Sequence, residues 1–253
     1  MTRSVDLNAD LGEGFGAWRL GDDEALLDVI TSANVACGFH AGDPSTLART
    51  VALAAQRGVR VGAQVSYPDL VGFGRRRMDV HPDDLAADVL YQIGALHAFC
   101  KANGTRVSYV KPHGALYNRI VDDEVQARAV IEAMVRWNDD LPLVTLPQST
   151  AAEVAGAAGL RVVSEAFADR AYMSSGRLVD RRSAGAVLSD PVEIAHRIVR
   201  MVRDGVVRAI DGGDVTIQAD SICVHGDTQG AVAIALAVRE SLESSGVTVR
   251  PWQ

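Results

Sequence analysis

Lysine is nearly missing from this chain: of 25 basic residues only Lys101 and Lys111 are lysines, the rest being arginine. Cysteine is scarce too. Cys37, Cys100 and Cys223 are odd in number, far apart and without C-x-x-C spacing, which argues against a disulfide scaffold or a thiolate zinc site and predicts reduced, mostly buried thiols. No apolar run approaches the roughly 18 uninterrupted residues that cross a bilayer, and the first ten residues carry neither a charged-then-apolar leader nor a lipidation signal. The expectation is a cytoplasmic protein with no membrane contact. Positive charge is also lacking, since 25 basic against 32 acidic residues leave −7 and no footprint for nucleic acid. Nor is there a GxxxxGK[ST] loop, a kinase-like set, an HExxH pair, or a GxGxxG after the first strand. With 48% hydrophobic and 23% charged residues over 253 positions, disorder, collagen and coiled coil are excluded.

What the chain does have is alternation. Extended stretches at Ser4–Asn8, Ala33–Gly38, Arg60–Val65, Ser108–Lys111, Pro142–Leu146, Arg161–Glu165 and Val215–Val224 alternate with stretches of helical period. Those helices are predicted at Asp22–Ile30, Pro44–Arg57, Pro82–Ala102, Asp122–Trp137, Ser149–Ala158, Asp190–Arg203 and Gln229–Leu242, and Val247–Val249 is a possible last strand. Asp43-Pro44 and Asp190-Pro191 read as N-cap and first-turn pairs, and Gly159 and Gly205 as stops. The pattern predicts an α/β fold, a parallel (β/α) barrel of seven or eight strands in a single domain over residues 1–253.

The first strand places Asp6, Asn8 and Asp10 on one face and Val5, Leu7 and Ala9 on the other. Further polar residues gather where strands end: Glu13; Asn34, His40 and Asp43; Gln64, Ser66, Tyr67 and Asp69; Lys111, His113 and Asn118; Glu165, Asp169 and Arg170; His225 and Asp227. In barrels these C-terminal ends converge on one ligand, so six clusters at equivalent places predict one site. The bland alternative is that each is a turn or helix cap, a role open to Asp43 in particular.

The strings DLNADLGEGFGAW, SANVACGFHAGDP, SYPDLVGFGRR, VKPHGALYN, EAFADRAY and CVHGD, in this order, closely resemble the LamB/YcsF family, understood as the A subunit of ATP-dependent bacterial 5-oxoprolinase. The resemblance implies a barrel related to the glycoside hydrolase/deacetylase folds. It also implies opening of 5-oxo-L-proline to L-glutamate with ATP hydrolysis, with subunits B and C as partners. Many members carry a histidine where this chain has Gln64, which weakens any essential role for that position.

For that chemistry His40, His113 and His225 are suitable general acids or bases, and Asp6 and Asp10 suit orienting a histidine, binding a cation or activating water. Lys111 or Arg170 suits pairing with a substrate anion. Asn8, Glu13, Asn34, Gln64, Tyr67, Asn118, Glu165 and Asp227 complete the expected substrate-binding set. ATP is expected to be held together with the partner subunits, because no phosphate loop is recognisable. Two alternatives stay open: a metal-dependent deacetylase or amidohydrolase using Asp6, Asp10, His40, His113 and His225 as ligands, and a non-catalytic substrate-binding subunit. The identity of any metal is left open.

Overall fold

The computed structural model describes residues 3–138 and 140–253. In chain order the elements are β1 (Ser4–Leu11), α1 (Asp23–Leu27), β2 (Ser32–Ala36), α2 (Pro44–Gln56), β3 (Arg60–Val65), α3 (Pro82–Ala102), β4 (Val107–Pro112), α4 (Gly114–Arg119) and α5 (Glu124–Trp137). They continue with β5 (Leu143–Thr145), α6 (Thr150–Ala157), β6 (Val162–Phe167), α7 (Pro191–Asp204), β7 (Val206–Arg208), β8 (Asp214–Thr216), β9 (Ser221–Val224), α8 (Ala231–Ser244) and β10 (Thr248–Val249). Strands β1 to β6 pair in sequence order, all parallel, and β9 pairs with both β6 and β1. A seven-stranded parallel barrel is thereby closed, and the choice between seven and eight strands falls to seven. Strand β10 adds to the N-terminal end of β1 through Ser4 and Val5.

The predicted single strand Val215–Val224 is a correction. Val215 belongs to an antiparallel hairpin of β7 with β8, and the barrel strand starts only at Ser221. Asp220 marks the change: its carbonyl accepts from the Asp6 amide and its carboxylate accepts from the Ser164 amide, which pins the entry of β9 between β1 and β6. The short helix α4, directly after His113, also lay outside the predicted pattern. The proline-led helices form as expected, with Asp43 and Asp190 accepting from first-turn amides of α2 and α7 and Gly205 left-handed at the end of α7.

Apolar side chains of the strands face outward onto the helices. Leu7, Ala9, Val35, Val61 and Ala63 of the strands share one buried core with Leu85, Val89, Ile93 and Leu96 of α3, whose spacing keeps them on one helix face. The lumen is instead polar, apart from a floor of Tyr109, Val144, Val163 and Trp252. Gly62 makes room for that floor, because a Cβ there would lie 2.0 Å from the Tyr109 ring. Among the described residues no helix is long and apolar enough to cross a membrane, and all three cysteines are buried and unbridged.

Candidate functional site

The alternation of β1 sends Asp6, Asn8 and Asp10 into the lumen in three layers. In the lowest, Asp6 accepts from Thr31 Oγ1 at 2.7 Å, from Ser32 Oγ at 2.6 Å and from Ser221 Oγ. Burial nevertheless pushes its carboxyl up to about 6. In the next, Asn8 donates to Glu165 and to Ser221, and Asn34 donates to both Asn8 and Asp10 while accepting from the Tyr109 hydroxyl. At about 3.3 Å of rise per residue, Asp6 lies roughly 13 Å below Asp10 along the strand.

Lys111 occupies the third layer. Its Nζ donates to Asp10 Oδ1 at 2.7 Å and to Cys223 Sγ at 3.1 Å, and lies 3.2 Å from Glu165 Oε1. Burial disfavours every charge here. The two carboxylates, Asp10 foremost, still hold the ammonium well above its usual range, and Lys111 in turn holds the Asp10 carboxyl low despite burial. Burial outweighs Lys111 at Glu165, whose carboxyl is raised.

Above this layer stand Glu13, His40, Gln64 and His113. His40 Nε2 and Gln64 Oε1 are 3.2 Å apart, and Gln64 Nε2 donates to Glu13 Oε1 at 3.2 Å. Glu13 Oε1 lies 3.7 Å from His113 Nε2, and the two imidazoles stack with centroids 4.2 Å apart and 18° between planes. Burial lowers His40 to about 4; burial and then the neighbouring His40 push His113 well below the ordinary imidazole range. Burial and then Asp10 push Glu13 well above the usual carboxylate range. At neutral pH both imidazoles are therefore uncharged, beside a carboxyl whose ionisation is disfavoured, a set able to exchange protons.

Phe73 roofs this trio, its ring 5.8 Å from His40 and 5.3 Å from His113, on a left-handed backbone at φ 55° that costs a non-glycine residue free energy. Gly74 follows, also left-handed, and a Cβ there would lie 2.4 Å from Ser66 Oγ and 3.0 Å from each histidine. The turn is fixed by Asp69, which accepts from the amides of Gly72 and Arg76 and from the Arg76 guanidinium.

An open cleft of about 1260 Å³ crosses the C-terminal end of the barrel. Of the predicted residues Asp10, Lys111, His113, Asn118, Arg170 and His225 line it. Glu13, His40 and Gln64 lie in the adjoining layer described above. Asp6, Asn8 and Asn34 lie deeper in the lumen, with Glu165 against Lys111, so the expectation that Asp6 and Asn8 share the pocket wall is corrected by depth: a strand's alternation sets a side chain's face and not its height. Tyr67 points the other way, its hydroxyl donating to Gln126 of α5 at 2.8 Å, and is core. Arg170 turns its guanidinium onto the carbonyls of Val179 and Ala186. Asp227 faces two arginines, Arg75 and Arg181.

His225 Nδ1 is 2.8 Å from Asp169 Oδ1, and Thr228 donates to the other Asp169 oxygen. Burial is overcome there by His225, and the Asp169 carboxyl falls to about 2. Asp169 stood in a polar strand-end cluster and is an orienting partner that sequence reasoning missed. Tyr117 was missed outright; its hydroxyl faces the Glu165 carboxyl, while Nδ1 of both His40 and His113 is buried without a hydrogen-bond partner among the described residues, a pair a bound polar ligand would satisfy. The signal for Tyr117 was its spacing, four residues after His113 on α4.

The predicted metal-ligand set does not assemble: Asp6 is in the floor layer, Asp10 is on Lys111, and His225 is on Asp169. The group that does converge is Glu13, His40 and His113, with ligand atoms within 4.8 Å of one another. Their geometry fits an ion poorly. The two ring planes are nearly parallel and separate, with centroids 4.2 Å apart, so the in-plane lone pairs of the two imidazoles do not converge on one point about 2 Å from both nitrogens.

Fold and site together define a parallel-barrel protein whose polar lumen opens at the strand C-termini onto a buried histidine–carboxyl trio beside a buried lysine–carboxylate group. The LamB/YcsF family profile matches residues 5–253, and the chain belongs to that family. It is similar to the 5-oxoprolinase A subunit of Streptomyces avermitilis, 61% identical over 245 residues that cover 97% of this chain and 98% of the relative. The 5-oxoprolinase A subunit of Mycobacterium avium is 59% identical over 248 residues, 98% of each. Among solved structures, the lactam utilization protein from Thermus thermophilus is 50% identical and superposes with a TM-score of 0.94 over 98% of this chain and 100% of that one. A T48 deacetylase with substrate, 14% identical with a TM-score of 0.50 over 99% of this chain and 88% of that one, shares the fold alone.

Proposed function

We propose that this chain is the A subunit of an ATP-dependent 5-oxoprolinase, working in the cytoplasm with subunits B and C to cleave 5-oxo-L-proline to L-glutamate. One observation carries the reading: likeness at 61% identity, over nearly the whole of both chains, to a protein named as the A subunit of 5-oxoprolinase. The cleft is compatible with it. Opening a lactam breaks the ring C–N bond, adds water at the carbonyl carbon and delivers a proton to nitrogen. An unstrained five-membered lactam opens uphill, and transfer of the ATP γ-phosphoryl group to the lactam oxygen, releasing ADP, would activate the carbonyl; one water then adds at that carbon and the ring nitrogen leaves protonated, giving an acyl phosphate that a second water hydrolyses to the glutamate carboxylate and phosphate.

In this scheme His113 is the proton-transfer group that reaches the substrate, with His40 and Glu13 supplying or taking its proton. Asp10 and Lys111 form the charged floor beneath the ring. The Tyr117 hydroxyl and the neighbouring Glu165 carboxyl, a donor and an acceptor, suit the lactam C=O and N–H respectively. ATP is assigned to the assembled complex, with this chain presenting the lactam. The test is co-purification of this chain with subunits B and C, followed by 5-oxoproline-dependent phosphate release and glutamate formation. Turnover is expected from the three together; an inactive complex overturns the reading, and full turnover by the single chain overturns the assignment of ATP to the assembly.

A further inference from the structure

We propose that Arg75 and Arg181 form an oxyanion clamp on the rim of the cleft, occupied in the free chain by the carboxylate of Asp227. The two arginines come from different loops, Arg75 after β3 and Arg181 after β6, and both line the cleft. They meet on one side chain: Arg75 Nη2 donates to Asp227 Oδ2 at 2.7 Å, and Arg181 Nη2 lies 3.3 Å from Oδ1. Two guanidiniums around one carboxylate leave an excess positive charge in a geometry that suits carboxylate or phosphoryl oxygens.

Most of the other cleft cations are already committed, Arg77 being the exposed exception. Lys111 is neutralised by Asp10 and Glu165, Arg170 is held by two carbonyls, and Arg119 bonds Asp79 and Asp123. Arg75 and Arg181 are partly open, at 32% and 26% side-chain exposure, so an incoming anion can exchange with Asp227 without unfolding a core. The exchange reaches the proton-transfer trio. Arg75 lies 4.7 Å over the Phe73 ring, and Phe73 roofs His40 and His113, so an anion seated on Arg75 fixes the roof above the reacting groups.

The proposal rests on the 5-oxoprolinase reading only for its choice of ligands, and binding needs no turnover. The experiment is calorimetric titration of the full chain with 5-oxo-L-proline, with 2-pyrrolidinone as the lactam without a carboxylate, and with inorganic phosphate. Arg75→Gln and Arg181→Gln are each expected to weaken anion binding about tenfold, the scale of one charge-assisted hydrogen bond. Asp227→Asn is expected to tighten it, because the internal competitor is removed. A latch that only ties loops together predicts the opposite for Asp227→Asn: a lower melting temperature and no gain in affinity. Tightening for 5-oxoproline but not pyrrolidinone assigns the clamp to the substrate carboxylate, and tightening for phosphate assigns it to a phosphoryl group. Tightening for neither overturns the proposal. Arg181→Lys, which keeps the charge but loses the fork, serves if the glutamine variants do not fold; binding unchanged from wild type in that variant also overturns it.

Discussion

Lys111 Nζ is shared between two buried carboxylates, 2.7 Å from Asp10 Oδ1 and 3.2 Å from Glu165 Oε1. One of the two lysines of the chain thus holds β4 to β1 and β6 across the barrel lumen. Replacing it with Met should leave uncompensated negative charge in the lumen and destabilise the fold by about 3–5 kcal/mol. Adding Asp10→Asn should recover part of that loss. Chemical denaturation of the single and double variants checks this, and an unchanged midpoint for Lys111→Met would show the lysine to be dispensable to the fold.

Asp6 makes stability depend on pH with a definite sign. Its carboxyl, raised by burial to about 6 from the ordinary 3.8, binds a proton more tightly in the folded than in the unfolded chain. The folded state therefore carries no penalty from Asp6 below pH 3.8, loses stability as pH rises, and bears the full cost above pH 6, on the order of 3 kcal/mol. Asp6→Asn should match wild type near pH 4, apart from any pH-independent offset, and gain on it up to about pH 7. Urea unfolding across that range measures the difference; a gap that stays constant with pH excludes the buried titration.

Chelation addresses the stacked pair. Because His40 and His113 overlap face to face at 4.2 Å, dialysis against EDTA should leave both melting temperature and 5-oxoproline turnover of the complex unchanged, once the magnesium that accompanies ATP is restored. Turnover that returns only on adding zinc or another transition metal would mean that the rings reorient around an ion.

The barrel and its busy end were readable from particular residues. Asp6, Asn8 and Asp10 alternate with apolar neighbours, and Lys111 and His113 bracket Pro112 at the end of β4, so their common lumen follows from strand geometry. Depth was not readable: the same alternation that turns Asp6 inward leaves it in a different layer from His113, because closure and stagger of the barrel decide height. Tyr67 was misassigned for a related reason. It lies one residue past Ser66 in a polar cluster, and that one-residue step turns its side chain to the helix layer. Arg75 and Arg181 were hidden by abundance in a chain where nearly all cations are arginine, and only the long-range meeting at Asp227 distinguishes them.

His113 bears most directly on the account. Its imidazole sits 4.2 Å from that of His40 and 3.7 Å from the Glu13 carboxyl, and burial, then His40, hold it neutral well below the usual imidazole range. The decisive measurement is glutamate formation from 5-oxoproline by the reconstituted complex carrying wild-type or His113→Ala chain, between pH 6 and 8, beside the melting temperature of each chain. The account predicts a loss of about 100-fold or more in kcat with the melting temperature little changed, and a wild-type rate that does not fall through pH 6.5, since His113 stays unprotonated there. A folded His113→Ala complex with full activity would contradict it.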